Sequence, residues 1–245
     1  MKRVIFFIYG VAAYAVFFGA FLHSVGFVGN LVLSKTIDSG PEAPLTQAIV
    51  IDLLLLGLFA IQHSVMARMG FKKWWTRIVP EQVERSTFVL ISSLLLFLLF
   101  RQWRPMTGEI WNLENTFFDP VLSGLFWIGW LIVLFSTFMI DHFELFGLKQ
   151  VYLYLRNKEY TTGEFKTPAL YKYVRHPIMS GFIIAFWATP KMTFGHLLFA
   201  AATTVYILIA IQLEERDLRN IHGEAYENYR KRVSMLFLSP GKKSK

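Results

Sequence analysis

The chain alternates long apolar runs with short, charge-rich polar segments, a pattern that predicts helices crossing a bilayer. Windows of sufficient length lie at Val4 to Val28, Ala48 to Met66, Thr87 to Phe100, Val121 to Ile140, Pro177 to Thr189 and Gly195 to Leu213. The third and fifth are short. Val83 and Trp103 extend the third, and Leu170 to Val174 extend the fifth. Alternatively, Pro177 to Leu213 forms a tight hairpin turning at Pro190 to Thr193, leaving five full spans and a partial one. Beyond the last span, Leu218, Ile221, Ala225 and Tyr229 recur at helical spacing and predict a helix lying on the membrane surface. The expected fold is all-α: a polytopic integral membrane helical bundle of five to six transmembrane helices plus a C-terminal amphipathic helix. It reads as a single domain over 1–245, with N-terminal spans in 1–141 and the candidate binding residues concentrated in 142–245.

Composition agrees: 54% of the 245 residues are hydrophobic and 17% charged, too apolar for an ordinary soluble domain. Lys2 and Arg3 before an apolar run invite a signal-peptide reading, but the run continues to Val28, longer than a signal core, and predicts a retained first span. Assigning the loops to alternate sides of six crossings gathers 21 lysines and arginines on one face, against Lys35, Arg101, Arg104 and Lys191 on the other. Basic residues collect in the cytoplasm, so both termini are expected there. The same placement explains the formal charge of +8 without nucleic acid, as loops resting on anionic lipid. Lys72, Lys73, Trp74 and Trp75 read as a lipid-facing stretch, and most other tryptophans as interfacial anchors. Without cysteine, disulfides, thiolate metal sites and a cysteine nucleophile are excluded.

The residues that carry chemistry cluster late in the chain. Tyr173, Arg175 and His176 lead into Pro177, which suits the first turn of a helix because its missing N–H is not needed there. A helix start flanked by arginine and histidine is a seat for a carboxylate; equally, Arg175 snorkels and His176 caps the helix. Glu214 and Glu215 follow the last span, where adjacent acids are costly unless partnered. Their partner is either a bound cation or Arg175 in an ion pair that locks two helices together. Arg230 lies in a basic tail that faces headgroups or a ligand's carboxylate.

Arg175-His176-Pro177, Gly181, Glu214-Glu215, Leu218, Gly223, Tyr226 and Tyr229 together resemble the isoprenylcysteine carboxyl methyltransferases and phospholipid methyltransferases. Met179 stands where those families usually have tyrosine, and His222 where an aromatic residue often precedes the glycine. A narrower resemblance runs along nearly the whole chain, through Gly26 to Asn30, Ser39 to Pro41, Gln62 to Arg68, Trp74 to Pro80, Glu84 to Ser86, Trp103 to Pro105 and Asp141 to Gly147. These segments are similar to the bacterial methanethiol S-methyltransferases, whose relatives include proteins named after a nitric-oxide-reduction accessory factor.

The resemblance implies an inner-membrane enzyme that methylates a small thiol, giving dimethyl sulfide, with S-adenosyl-L-methionine (SAM) as methyl donor. It assigns the donor to Tyr173, Arg175, His176, Pro177, Gly181, Glu214, Glu215, Tyr226, Tyr229 and Arg230. SAM carries an ammonium, a carboxylate and a sulfonium, which suits a site of mixed charge. Two other readings stay open: a methyltransferase for a lipid or prenylcysteine, and a non-catalytic accessory membrane protein of nitrogen-oxide metabolism.

Methyl transfer from a sulfonium is an in-line displacement that needs positioning and exclusion of water, and a thiol must also lose its proton. His63, Asp141, His142 and His176 are expected on the cytoplasmic face, at the ends of spans two, four and five. His63 or His142 is a candidate general base, with Asp141 orienting a histidine. A metal polarising the thiol, or histidines that simply bond headgroups and helix ends, are the alternatives; no residue is assigned to a metal.

Overall fold

The computed structural model describes residues 1–161 and 167–237. Lys166, Lys242, Lys243 and Lys245, counted above on the basic face, lie outside the described residues. Five helices are long and apolar enough to cross a membrane: α1 (Lys2–Val28), α2 (Leu45–Ala67), α4 (Glu81–Gln102), α5 (Phe118–Ile140) and α9 (Phe194–His222). Shorter elements lie between and after them: α3 (Met69–Trp75), β1 (Glu109–Asn112), α6 (His142–Leu145), α7 (Leu148–Leu155), a 3-10 turn (Ala169–Lys172), α8 (Pro177–Trp187), β2 (Lys191–Thr193) and α10 (Glu224–Arg232). Leu53, Leu54, Leu58 and Ile61 of α2 are exposed. Such an apolar outer face belongs in lipid rather than water. The protein is a polytopic helical membrane protein.

The described residues divide into two compact units. The first comprises Met1–Gly108, His142–Thr162 and Thr193–His196; the second comprises Glu109–Asp141, Gly163–Met192 and Leu197–Lys245.

In the first unit α1 and α4 run parallel, with Tyr9 beside Thr87 at 2.9 Å and His23 stacked on Phe100. The connection after α1 folds back on this pair: the Trp103 indole donates to the Ile37 carbonyl and Lys35 donates to the Trp103 carbonyl. Helix α7 lies along the first half of α1, pairing Tyr154 with Phe6, Tyr152 with Phe7 and Val151 with Gly10. Gly147 opens α7 at φ +86, and a Cβ there would meet the Ser86 backbone nitrogen at 2.7 Å. A side chain would be both strained and blocked at that position.

In the second unit, α8 has 11 residues and a length of ~16 Å, about half of what a bilayer requires. Ala188 and Thr189, the last residues of the predicted window, lie outside the helix, and the chain passes through Pro190 into β2, which pairs with β1. Backbone outside a helix is tolerated at membrane depth only where protein satisfies it. Here the Trp111 indole donates to the Thr189 carbonyl, and Leu113 N–H donates to the Pro190 carbonyl. The apolar run alone left open whether the fifth helix is a full span or one arm of a hairpin turning at Pro190, because it carries no sign of this pairing. The alternative of five full spans and a partial one is what the structure has.

Helices α5 and α8 pack closely. A Cβ on Gly129 would stand 2.6 Å from the Ala185 nitrogen, and one on Gly181 would stand 2.7 Å from the Gly129 carbonyl oxygen. Small residues at such a crossing let two backbones approach where lipid offers no hydrophobic drive. Trp130 fills the adjoining space, edge-on to Phe182 and Phe186.

Candidate functional site

The second unit assembles the C-terminal motifs into one ionic cluster. Arg175 and Glu215 are buried and paired: the guanidinium Nε and Nη2 both lie 2.7 Å from Glu215 Oε1. The third guanidinium nitrogen donates to the carbonyls of Arg230 and Val233. Arg175 thus ties α9 to the last turn of α10 and the residue after it, in the locking arrangement that was one of its sequence readings. Its charge is directed into the protein rather than left open for a ligand carboxylate. His176 completes the cluster, with Nε2 3.2 Å from Glu215 Oε1 and Nδ1 3.6 Å from Glu214 Oε2.

Backbone bonds hold this arrangement. Arg175 N–H donates to the Ser234 carbonyl and His176 N–H to the Met235 carbonyl, while the Ser180 hydroxyl donates to the Leu236 carbonyl. Residues 233–236 therefore run beside the start of α8, and Leu236 packs with Ile207 and Ile211 of α9. Nothing in their composition flags this role; it arises from main-chain bonding.

The two groups of opposite charge that keep an exposed side-chain surface at this cluster are Glu214, at 46%, and Arg230, at 39%. Arg230 lies 3.9 Å from Glu215 Oε2 and 3.3 Å from Glu227. This pair, with His176 between the two glutamates, is what could engage a zwitterionic ligand.

The tyrosines split. Tyr226 and Tyr229 are buried against Val233 and Leu218, and the Tyr229 hydroxyl donates to the Tyr171 carbonyl at 2.6 Å. Burial, with Glu215 acting in the same direction, pushes Tyr229 up to about 12, while Arg175 opposes the shift. Tyr226 is raised by burial and then by Glu215. Both are phenols that serve as walls and donors at neutral pH. Tyr173 is exposed. Pro177 opens α8, and Gly181 faces Gly129, so the geometry gives the glycine a packing role.

The remaining candidates fall elsewhere. His63 and His142 belong to the first unit, while Asp141 ends α5 in the second. His63 stacks on Phe59, and its Nδ1 lies 3.3 Å from the Ser92 hydroxyl, which donates to Gln62. His142 is buried, with Nε2 2.8 Å from the Tyr14 hydroxyl. Both histidines border one apolar cluster: Phe88 contacts His63, Phe146 contacts His142, and Met66, Val89 and Phe17 lie with them. Among the described residues no three histidine, aspartate or glutamate side chains come together as a metal site.

Comparison with known proteins identifies the lineage. The sequence pattern of the NnrU protein family matches residues 52–227. A methanethiol S-methyltransferase of Crocosphaera subtropica is 55% identical, covering 100% of this chain and 96% of its own. One from Mycobacterium tuberculosis is 56% identical, covering 98% of each. Nurim of Rattus norvegicus is 31% identical over 71% of this chain and 69% of its own. No solved structure matches. Matched along nearly its whole length, the chain belongs to the NnrU protein family and to the group of methyltransferases within these relatives.

Proposed function

We propose that this methyltransferase uses SAM to methylate methanethiol, giving dimethyl sulfide, at the cytoplasmic side of a bacterial inner membrane. The observation that carries the reading is the mixed-charge cluster of Arg175, His176, Glu214, Glu215 and Arg230 in a chain 55% and 56% identical to proteins named for that reaction. The charge split supports the orientation, with both termini cytoplasmic.

The donor chemistry suits the residues. SAM supplies a methyl group on a sulfonium and presents an ammonium and a carboxylate beside it. Glu214 binds the ammonium, and Arg230 binds the carboxylate. Arg175 acts at one remove, fixing Glu215 and the 233–236 segment so that His176, Glu214 and Arg230 keep their positions. Tyr226 and Tyr229 exclude water from that wall, and Tyr173 extends it outward.

Binding is tested by thermal unfolding of the purified chain in detergent. SAM at 100 times its Kd is expected to stabilise the protein by about 2.7 kcal/mol. Glu214→Ala is expected to weaken binding about tenfold, or ~1.4 kcal/mol, while leaving the ligand-free melting temperature in place. Wild-type protein that gains no stability from SAM contradicts the assignment.

His63, Asp141 and His142 are proposed as acceptors for the thiol's proton. Replacing the acting base is expected to erase the rising limb of the rate–pH profile. Three single variants that all keep the wild-type profile would remove these residues from the role.

A further inference from the structure

Ser136 lies in the interior of α5, at 0% exposure, and its hydroxyl has no hydrogen-bond partner. Helical hydroxyls in an apolar setting commonly return their proton to the carbonyl one turn back. Ser93 bonds the Val89 carbonyl, Thr87 the Val83 carbonyl and Thr203 the Phe199 carbonyl in this way. Ser136 does not. A buried donor left unsatisfied is costly and calls for an explanation.

Its surroundings point to one. The Tyr171 hydroxyl, also buried, reaches the Ser136 carbonyl oxygen in a long bond of 3.5 Å. Tyr171 in turn accepts the Tyr229 hydroxyl on its own carbonyl. Glu214 acts electrostatically on the Tyr171 hydroxyl. Ser136 and Tyr171 thus adjoin the ionic cluster within the same unit.

Packing explains the size of Ser136, since α5 presents Val133 and Gly129 to α8 one and two turns earlier. It does not explain the hydroxyl. Alanine would fit the same space and leave no donor unsatisfied.

Resting on the thiol reading above, we propose that the Ser136 and Tyr171 hydroxyls together hold the acceptor sulfur and favour its thiolate form. Two O–H donors aimed at one sulfur stabilise the anion over the neutral thiol, which is a weak acceptor. Burial, then Glu214 and Tyr229, push the Tyr171 hydroxyl up from its ordinary value, so it remains a donor and does not compete as an acid. In the step served, the thiol S–H bond breaks, with the proton passing to the base. The thiolate lone pair then forms the new S–CH3 bond. The C–S bond to the sulfonium breaks, its electron pair staying on that sulfur, and anion and cation become two neutral thioethers.

The test uses Ser136→Ala and Tyr171→Phe in the full-length purified chain, with methanethiol and SAM. Each variant is expected to lower kcat/KM for methanethiol about tenfold near neutral pH, and the deficit should narrow as pH rises and the thiol ionises unaided. The Kd for SAM and the ligand-free melting temperature should hold, and Ser136→Ala should melt no lower than wild type. Unchanged kcat/KM in both variants of an active protein would overturn the proposal and leave the thiol reading standing. Parallel losses of SAM binding and melting temperature, with an unmoved pH profile, would make the residues structural and overturn it too. Wild-type protein that binds SAM but makes no dimethyl sulfide would bring down the thiol reading and this proposal with it.

Discussion

Glu215→Ala is expected to destabilise the protein by about 3–5 kcal/mol and to abolish methyl transfer. The side chains of Arg175 and Glu215 are 7% and 4% exposed, so removing the carboxylate strands a guanidinium in a site that water does not reach. Breaking a buried pair from one side has this cost because the remaining charge keeps its desolvation penalty without its partner. The damage also spreads: the same arginine holds the Arg230 and Val233 carbonyls, and His176 leans on the same glutamate oxygen. Glu215→Gln keeps the shape and one acceptor and is expected to fall between alanine and wild type. Thermal unfolding of the three proteins checks this order. A melting temperature unchanged by Glu215→Ala would mean that the pair does not hold the cluster together.

The second large effect is expected from Gly181→Val. Even a single added carbon stands 2.7 Å from the Gly129 carbonyl oxygen and 2.9 Å from the Val133 nitrogen, both on the backbone of α5. Backbone cannot rotate aside as a side chain can, so α8 must move off α5. Overpacking of this kind costs ~1–3 kcal/mol, and valine adds two more methyl groups to the clash. Moving α8 shifts Arg175 and His176 at its start, and a displacement of about 1 Å at reacting groups can cost on the order of 100-fold in rate. The expected result is a lower melting temperature with kcat reduced at least as severely. Gly181→Ala should show a milder form of both. A fully active, fully stable Gly181→Val protein would contradict the close packing of the two helices.

Particular residues show how far sequence carried the fold. The long spans were legible because unbroken apolar runs have few alternatives, and the third grew to Glu81–Gln102, taking in Val83 with Trp103 just beyond its end. The end of the fifth was not. Thr189 closes the apolar window, but it lies outside the helix, and its carbonyl is satisfied by the Trp111 indole, 78 residues earlier. Composition cannot foretell pairing at that separation.

The candidate site divides the same way. Glu214 and Glu215 announced a need for partners because two acids end an apolar span, and Arg175 was one partner foreseen. Which acid faces inward was not legible: Glu215 is buried in the pair, and Glu214 is left half exposed. The 233–236 segment contributes through carbonyls, which every residue has, so it carried no signal. Ser136 and Tyr171 were missed for a related reason, since a serine and a tyrosine at these positions become unusual only when burial and absent partners are seen.

Methyl transfer to a small thiol is read out by headspace gas above purified protein given SAM and methanethiol. Dimethyl sulfide that accumulates with the wild-type chain and is absent with Glu215→Ala is the predicted result. No dimethyl sulfide from wild-type protein, together with turnover of a prenylcysteine analogue or of a phospholipid, would contradict it.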